Sequence, residues 1–250
     1  MFTQTHYSSE AKTRPVVKRN SGKAVKKFKA TFSEDLRSQD QLSITFYTDP
    51  LCCWSKALES HIQRIKDDMP GLVNITYCMC GMITNLKSKA ISTETVKEPA
   101  QIRSVWKKVR DETGLSVNDK VWHNDPPISS YPGSLAVKTA GLQSGHAEEK
   151  MIQELRKAVV LYGRNISRTD VLEDIVNKVA DSEPDFDIKR FKKDYNSPKS
   201  RKALNSDLKE AQSCVDCFPA LTLSKEGYES VKISGYKPYE EIAESLKSMF

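Results

Sequence analysis

The chain has 250 residues, 38% of them hydrophobic and 29% charged, with a net charge of +6. That is enough for one large domain or a core with a sizeable insertion, of ordinary soluble composition. No apolar run approaches the roughly 18 residues of a membrane-spanning helix, and the first thirty residues lack the apolar stretch of a secretory signal, so a cytoplasmic location is expected.

Residues 1–40 hold nine Lys/Arg against four acidic residues, so most of the net charge lies there. This basic segment reads as a solvated, disordered tail with no specific nucleic-acid partner, although its acid-poor start is also compatible with an organellar transit peptide. Leu42–Thr48, LSITFYT, alternates polar and apolar residues with β-branched and aromatic members and predicts a strand. Asp49-Pro50 ends it. From Cys52, the apolar positions Trp54, Ala57, Leu58, Ile62 and Ile65 recur at helical spacing until Met69-Pro70-Gly71. Val73–Met79 predicts a second strand, and strand–helix–strand with such short joints is a βαβ unit with parallel strands.

Residues 85–212 turn helical. Ile102, Val105, Trp106 and Val109 share a face, as do Met151, Leu155, Ala158, Val159 and Tyr162. A capping box from Ser167 to Asp170 opens a helix through Val171, Ile175 and Val179, and Ser197-Pro198 caps another through Ala203, Leu204, Leu208 and Ala211. The end returns to sheet: two strands flank Lys225-Glu226-Gly227, and PYEEIAESLKSMF closes the chain as an amphipathic helix. Three parts follow: the tail 1–40, an α/β core from 41–84 and 213–250, and a helical insertion over 85–212.

Six cysteines fall in three groups, Cys52-Cys53, Cys78-x-Cys80 and Cys214-x-x-Cys217. Cys52 is placed at a helix N-terminus, where unpaired N–H groups and the helix dipole favour a thiolate and can lower a thiol pKa to about 3.5–7.5. Ser55, three residues on, shares its helical face. A serine there can donate to the thiolate but cannot resolve a mixed disulfide. Cys53 points about 100° away around the helix and reads as a core or groove-lining residue. The remaining four thiols read first as buried and unreactive, with a soft-metal site or a resolving role for Cys217 or Cys214 as alternatives. A lone C-x-x-C is weak grounds for zinc, and no metal site is assigned. Phosphate-binding loops, serine-hydrolase elbows and paired-histidine metalloprotease motifs are absent from the sequence.

Asp49-Pro50-Leu51-Cys52-Cys53-Trp54-Ser55, the segment Asp125–Gln143, Phe218-Pro219 and Ser234-Gly235-Tyr236-Lys237-Pro238-Tyr239 together resemble the DsbA family of thioredoxin-like proteins, in particular its cytoplasmic branch of predicted dithiol–disulfide isomerases. The first stretch is similar to that branch's D-P-x-C-x-W-C motif, with Ser55 in place of the last cysteine. The resemblance covers about residues 42–248. It implies a thioredoxin-like fold split by the helical insertion, a cis peptide before Pro219, and a groove in which Asp49, Pro50, Cys53, Trp54, Phe218 and Pro219 bind substrate while Cys52 and Ser55 are catalytic. The implied function is thiol–disulfide exchange or isomerisation through mixed disulfides on Cys52. Protein or peptide thiols and disulfides are the expected partners, without a cofactor, though glutathione could serve as co-substrate. A non-catalytic adaptor or chaperone on the same groove is the alternative. A glutathione-dependent kappa-class-like enzyme ranks lower, because Cys52 stands where that branch would place a serine.

Overall fold

The computed structural model describes residues 41–82 and 99–250. The basic tail 1–40 and the start of the insertion lie outside the described residues.

Strand β1, Leu42–Thr48, is followed by helix α1, Cys53–Asp68, and strand β2, Val73–Met79. A helical block comes next: α2 (Pro99–Thr113), α3 (Val121–Asn124), α4 (Tyr131–Gly141), α5 (Gly145–Arg156), α6 (Thr169–Ser182), α7 (Ile188–Asp194) and α8 (Pro198–Cys214). Strands β3 (Ala220–Ser224) and β4 (Val231–Ser234) and helix α9 (Tyr239–Lys247) end the chain.

The sheet order is β2-β1-β3-β4. β1 and β2 run parallel from Leu42↔Val73 to Thr48↔Met79, as a βαβ unit requires. β3 joins the other side of β1 antiparallel, with Tyr47 opposite Ala220, and pairs antiparallel with β4. β1 is thus interior to the sheet, and Leu42, Ile44 and Phe46 are completely buried. α1 buries Ala57, Leu58, Ile62 and Ile65, the positions its periodicity marks out. Full burial of an aliphatic side chain of this size contributes about 1.5–3 kcal/mol. The α/β architecture with an intervening helical block agrees with the expected fold class.

Two local expectations meet different outcomes. Ser197 caps α8 as its sequence predicts, accepting from the Ser200 N–H at 3.2 Å. Ser167 does not cap α6; Arg168 occupies that position with no side-chain cap. The Ser167 hydroxyl instead donates to the Ser129 carbonyl at 2.8 Å, clasping the segment that leads into α4. A tertiary acceptor has taken the place of the local one. α5 also runs on through a π-helical turn, Lys157–Leu161, a distortion that pattern reading treats as continuous α-helix and that favours functional regions.

Candidate functional site around Cys52

The motif lies where β1 hands over to α1. Cys52 takes an extended backbone conformation as the N-cap residue, and its carbonyl accepts the first helical bond from the Lys56 N–H at 3.1 Å. Its own N–H donates back to the Asp49 carbonyl at 3.1 Å, so residues 49–52 form a tight turn. Asp49 is completely buried. Its carboxylate accepts from the Leu51 N–H at 2.9 Å and from the Met82 N–H at 2.7 Å, and the Ser130 hydroxyl also bonds to it. Burial nevertheless raises its pKa, outweighing those hydrogen bonds and the nearby Arg156 charge. The turn is thereby laced to the residues after β2 and to the entrance of α4. Pro50 packs there too, since a Cβ on Gly133 would lie 3.5 Å from it.

Cys52 as a residue is 5% exposed. Burial pushes its pKa up and the Asp49 charge adds to the rise, whereas the Ser55 hydroxyl and N–H and the Arg156 charge pull it down. Burial thus opposes the activated thiolate that the helix terminus alone would favour. The N-terminal position is as expected, but desolvation works against the charged form and outweighs the help from Ser55 and Arg156. Ser55 is buried beside it, with no hydrogen-bond partner of good geometry. Its influence on Cys52 is therefore a close approach rather than a formed bond. Cys53 is buried in the core, where desolvation raises its thiol further. Trp54 is half-buried and meets Tyr236 in a tilted contact with ring centres 5.4 Å apart, and Tyr236 also meets His61 at 5.4 Å. Gly235, at φ +75°, makes the turn that delivers Tyr236.

The Phe218–Pro219 peptide is cis. Phe218 and Cys214 pack against a cluster of Tyr47, Cys78, Cys80, Ala211, Val215 and Ala220. The Tyr47 hydroxyl donates to Glu210 at 3.0 Å and lies near the Cys214 thiol; burial and the Glu210 carboxylate raise its pKa. Cys214 ends α8, and Cys217 is half-buried in the following loop. The structure thus gathers Cys78, Cys80 and Cys214 in one cluster, and burial raises the Cys80 thiol well above its ordinary value. Among the described residues, no three His, Cys, Asp or Glu are placed to hold a metal ion together.

Periodicity and motif reading did not single out Arg156. It is fully buried at the end of α5, donating to Glu59 at 2.8 Å and to Thr48, and its guanidinium lies 5.4 Å from the Phe46 ring centre. A cation four residues after Ile152 on a buried stripe was the available signal. Ile128 and Tyr131, flanking the α4 entrance, are 60% and 38% exposed, large apolar surfaces on the segment that packs on the motif.

A family model described as thioredoxin matches residues 46–244. The chain belongs to that family. It is 26% identical over 224 residues to the ClpXP adapter protein SpxH of Halalkalibacterium halodurans, an alignment covering 87% of this chain and 71% of that one. It is 30% identical over 211 residues to the protein of the same name from Bacillus subtilis, covering 80% and 66%. Its fold is similar to that of the cytosolic disulfide reductase DsbM from Pseudomonas aeruginosa, with a TM-score of 0.63 at 16% identity, covering 83% of this chain and 100% of that one. That reductase also has a structure with GSH. No helix of the described residues is long and apolar enough to cross a membrane.

Proposed function

We propose that this chain is a protein-docking adaptor on a thioredoxin-family fold, presenting client proteins to a ClpXP-type protease in the cytoplasm. The observation that carries this reading is the state of the motif: Cys52 is desolvated with a raised pKa, and Ser55 stands where a second thiol would resolve a mixed disulfide. A site so arranged retains the shape of a peptide groove while its thiol turnover is slow. The relatives named as ClpXP adapters support the same reading. Trp54, Phe218 and Pro219 of the motif and proline loop, with Ile128 and Tyr131 at the α4 entrance, are the side chains assigned to client contact.

The discriminating experiment is insulin reduction with glutathione as reductant, run beside a pull-down on ClpXP with and without a candidate client. The adaptor reading expects disulfide reduction near background and a client–protease complex that forms equally with Cys52→Ala. Turnover abolished by Cys52→Ala, together with no complex, would replace it with the enzyme reading.

That second reading, slow thiol–disulfide exchange on Cys52 with glutathione or a substrate thiol completing the cycle, draws on one observation. The Ser55 hydroxyl and N–H both favour the Cys52 thiolate against its burial.

A further inference from the structure

We infer that Cys80 is the resolving partner of Cys52, so that a thiol from the end of β2 replaces the one absent at position 55. The inference extends the second reading, thiol exchange at Cys52, and a pair that forms would count against the slow turnover on which the adaptor reading leans.

The last β1–β2 pair is Thr48↔Met79. The Cys80 N–H extends the ladder one step, donating to the Thr48 carbonyl at 2.8 Å. Cys80 therefore lies alongside Asp49, and the Cys52-to-Asp49 turn folds Cys52 back over that same position. The two segments are also fastened together, because one carboxylate, Asp49, accepts from Leu51 on the first and Met82 on the second. Gly81, at φ +66°, makes the bend between Cys80 and Met82. Adjacent strands run about 4.8 Å apart, which is the separation of Cys80 from Asp49. A turn of this kind keeps the Cys52 Cα within about 7 Å of Asp49. A disulfide spans Cα atoms about 4.4–6.8 Å apart, so the bridge forms where the turn brings Cys52 over the strand end. Cys80 is completely buried, which prevents it from reacting first with a solvent-borne disulfide but not from attacking a sulfur on Cys52.

The chemistry balances with a low-molecular-weight disulfide such as oxidised glutathione. The Cys52 thiolate attacks one glutathione sulfur, the S–S bond breaks, and the first glutathione leaves and takes up a proton. Cys80, losing its proton, then attacks the Cys52 sulfur and expels the second glutathione, which is protonated in turn. Two protein thiols are oxidised and one disulfide is reduced to two thiols.

The test treats the reduced full chain with oxidised glutathione, quenches in acid and maps peptides without reduction. Cys52 and Cys53 share a tryptic peptide, as do Cys78 and Cys80, so Cys53→Ser and Cys78→Ser assign the sulfurs. The expected product is a Cys52–Cys80 disulfide in the wild type and in Cys214→Ser and Cys217→Ser. It should be lost in Cys80→Ser, where glutathione stays on Cys52. Cys80→Ala, with a thermal melt, guards against a variant that fails only by misfolding. A bridge from Cys52 to Cys53, Cys214 or Cys217, a persistent Cys52–glutathione adduct in the wild type, or no modification of Cys52 would each overturn the assignment.

Discussion

Arg156 Nη1 at the end of α5 donates to Glu59 Oε1 on α1 across 2.8 Å, with the arginine completely enclosed. This pair ties the helical insertion to the helix that carries Cys52. Truncating a fully enclosed long side chain costs about 2–5 kcal/mol, while the part-exposed Glu59 keeps a second cation, Lys56. Arg156→Ala should lower the stability by that order in a denaturant titration.

Cys52 should be a slow thiol at neutral pH. The thiolate is the nucleophile, and a pKa raised by burial leaves less of it as pH falls towards neutrality. Timed alkylation with peptide mapping should find the half-buried Cys214 and Cys217 labelled before Cys52. The Cys52 rate should keep rising with pH beyond the range where an ordinary thiol has levelled off. Dominant labelling of Cys52 in mild acid would show the helix terminus winning over desolvation.

Ser55→Cys should convert the motif into a C-x-x-C pair and raise insulin reduction clearly above the wild-type rate. The hydroxyl it replaces is buried without a well-formed hydrogen bond, so the substitution should cost little stability. Unchanged reduction rates with a folded variant would mean that thiol supply does not limit the site.

Much of this organisation was legible in the residues. LSITFYT and VNITYCM announced β1 and β2 because alternation and β-branching act locally, and Ser197-Pro198 announced α8 because its cap is local too. Ser167 misled because the same hydroxyl had a distant acceptor in Ser129, which spacing does not reveal. The motif was recognisable, but the ionisation of Cys52 was not. Its position on a helix is a sequence property, whereas its burial arises in the folded chain, where the neighbouring Pro50 meets Gly133 and Asp49 meets Met82 and Ser130. Arg156 was hidden for a similar reason, since its partners Glu59 and Thr48 lie about a hundred residues away.

Lys138 offers a pH-dependent check of the helical block. Its ammonium contacts Glu148 at 2.6 Å, Asp207 at 3.1 Å and the Tyr77 carbonyl at 3.1 Å, linking α4, α5, α8 and β2. Burial raises the pKa of both carboxyls even with the lysine present. Lys138→Met removes the shared cation and should raise both further. An acid whose folded pKa lies above its unfolded one favours folding below that unfolded value and loses the contribution as pH rises through the folded value. The variant should therefore be less destabilised near about pH 5 than near about pH 8. A pH-independent deficit in denaturant titrations would assign Lys138 a packing role only.

The most direct test of the docking account is proteome-wide protein turnover in cells that lack this chain, carry it unaltered, or carry Cys52→Ala. The account predicts a small set of proteins whose lifetimes lengthen without the chain and return to normal with either form, in a ClpXP-dependent manner. Lifetimes that no form changes, or that only the form with an intact Cys52 restores, would contradict it.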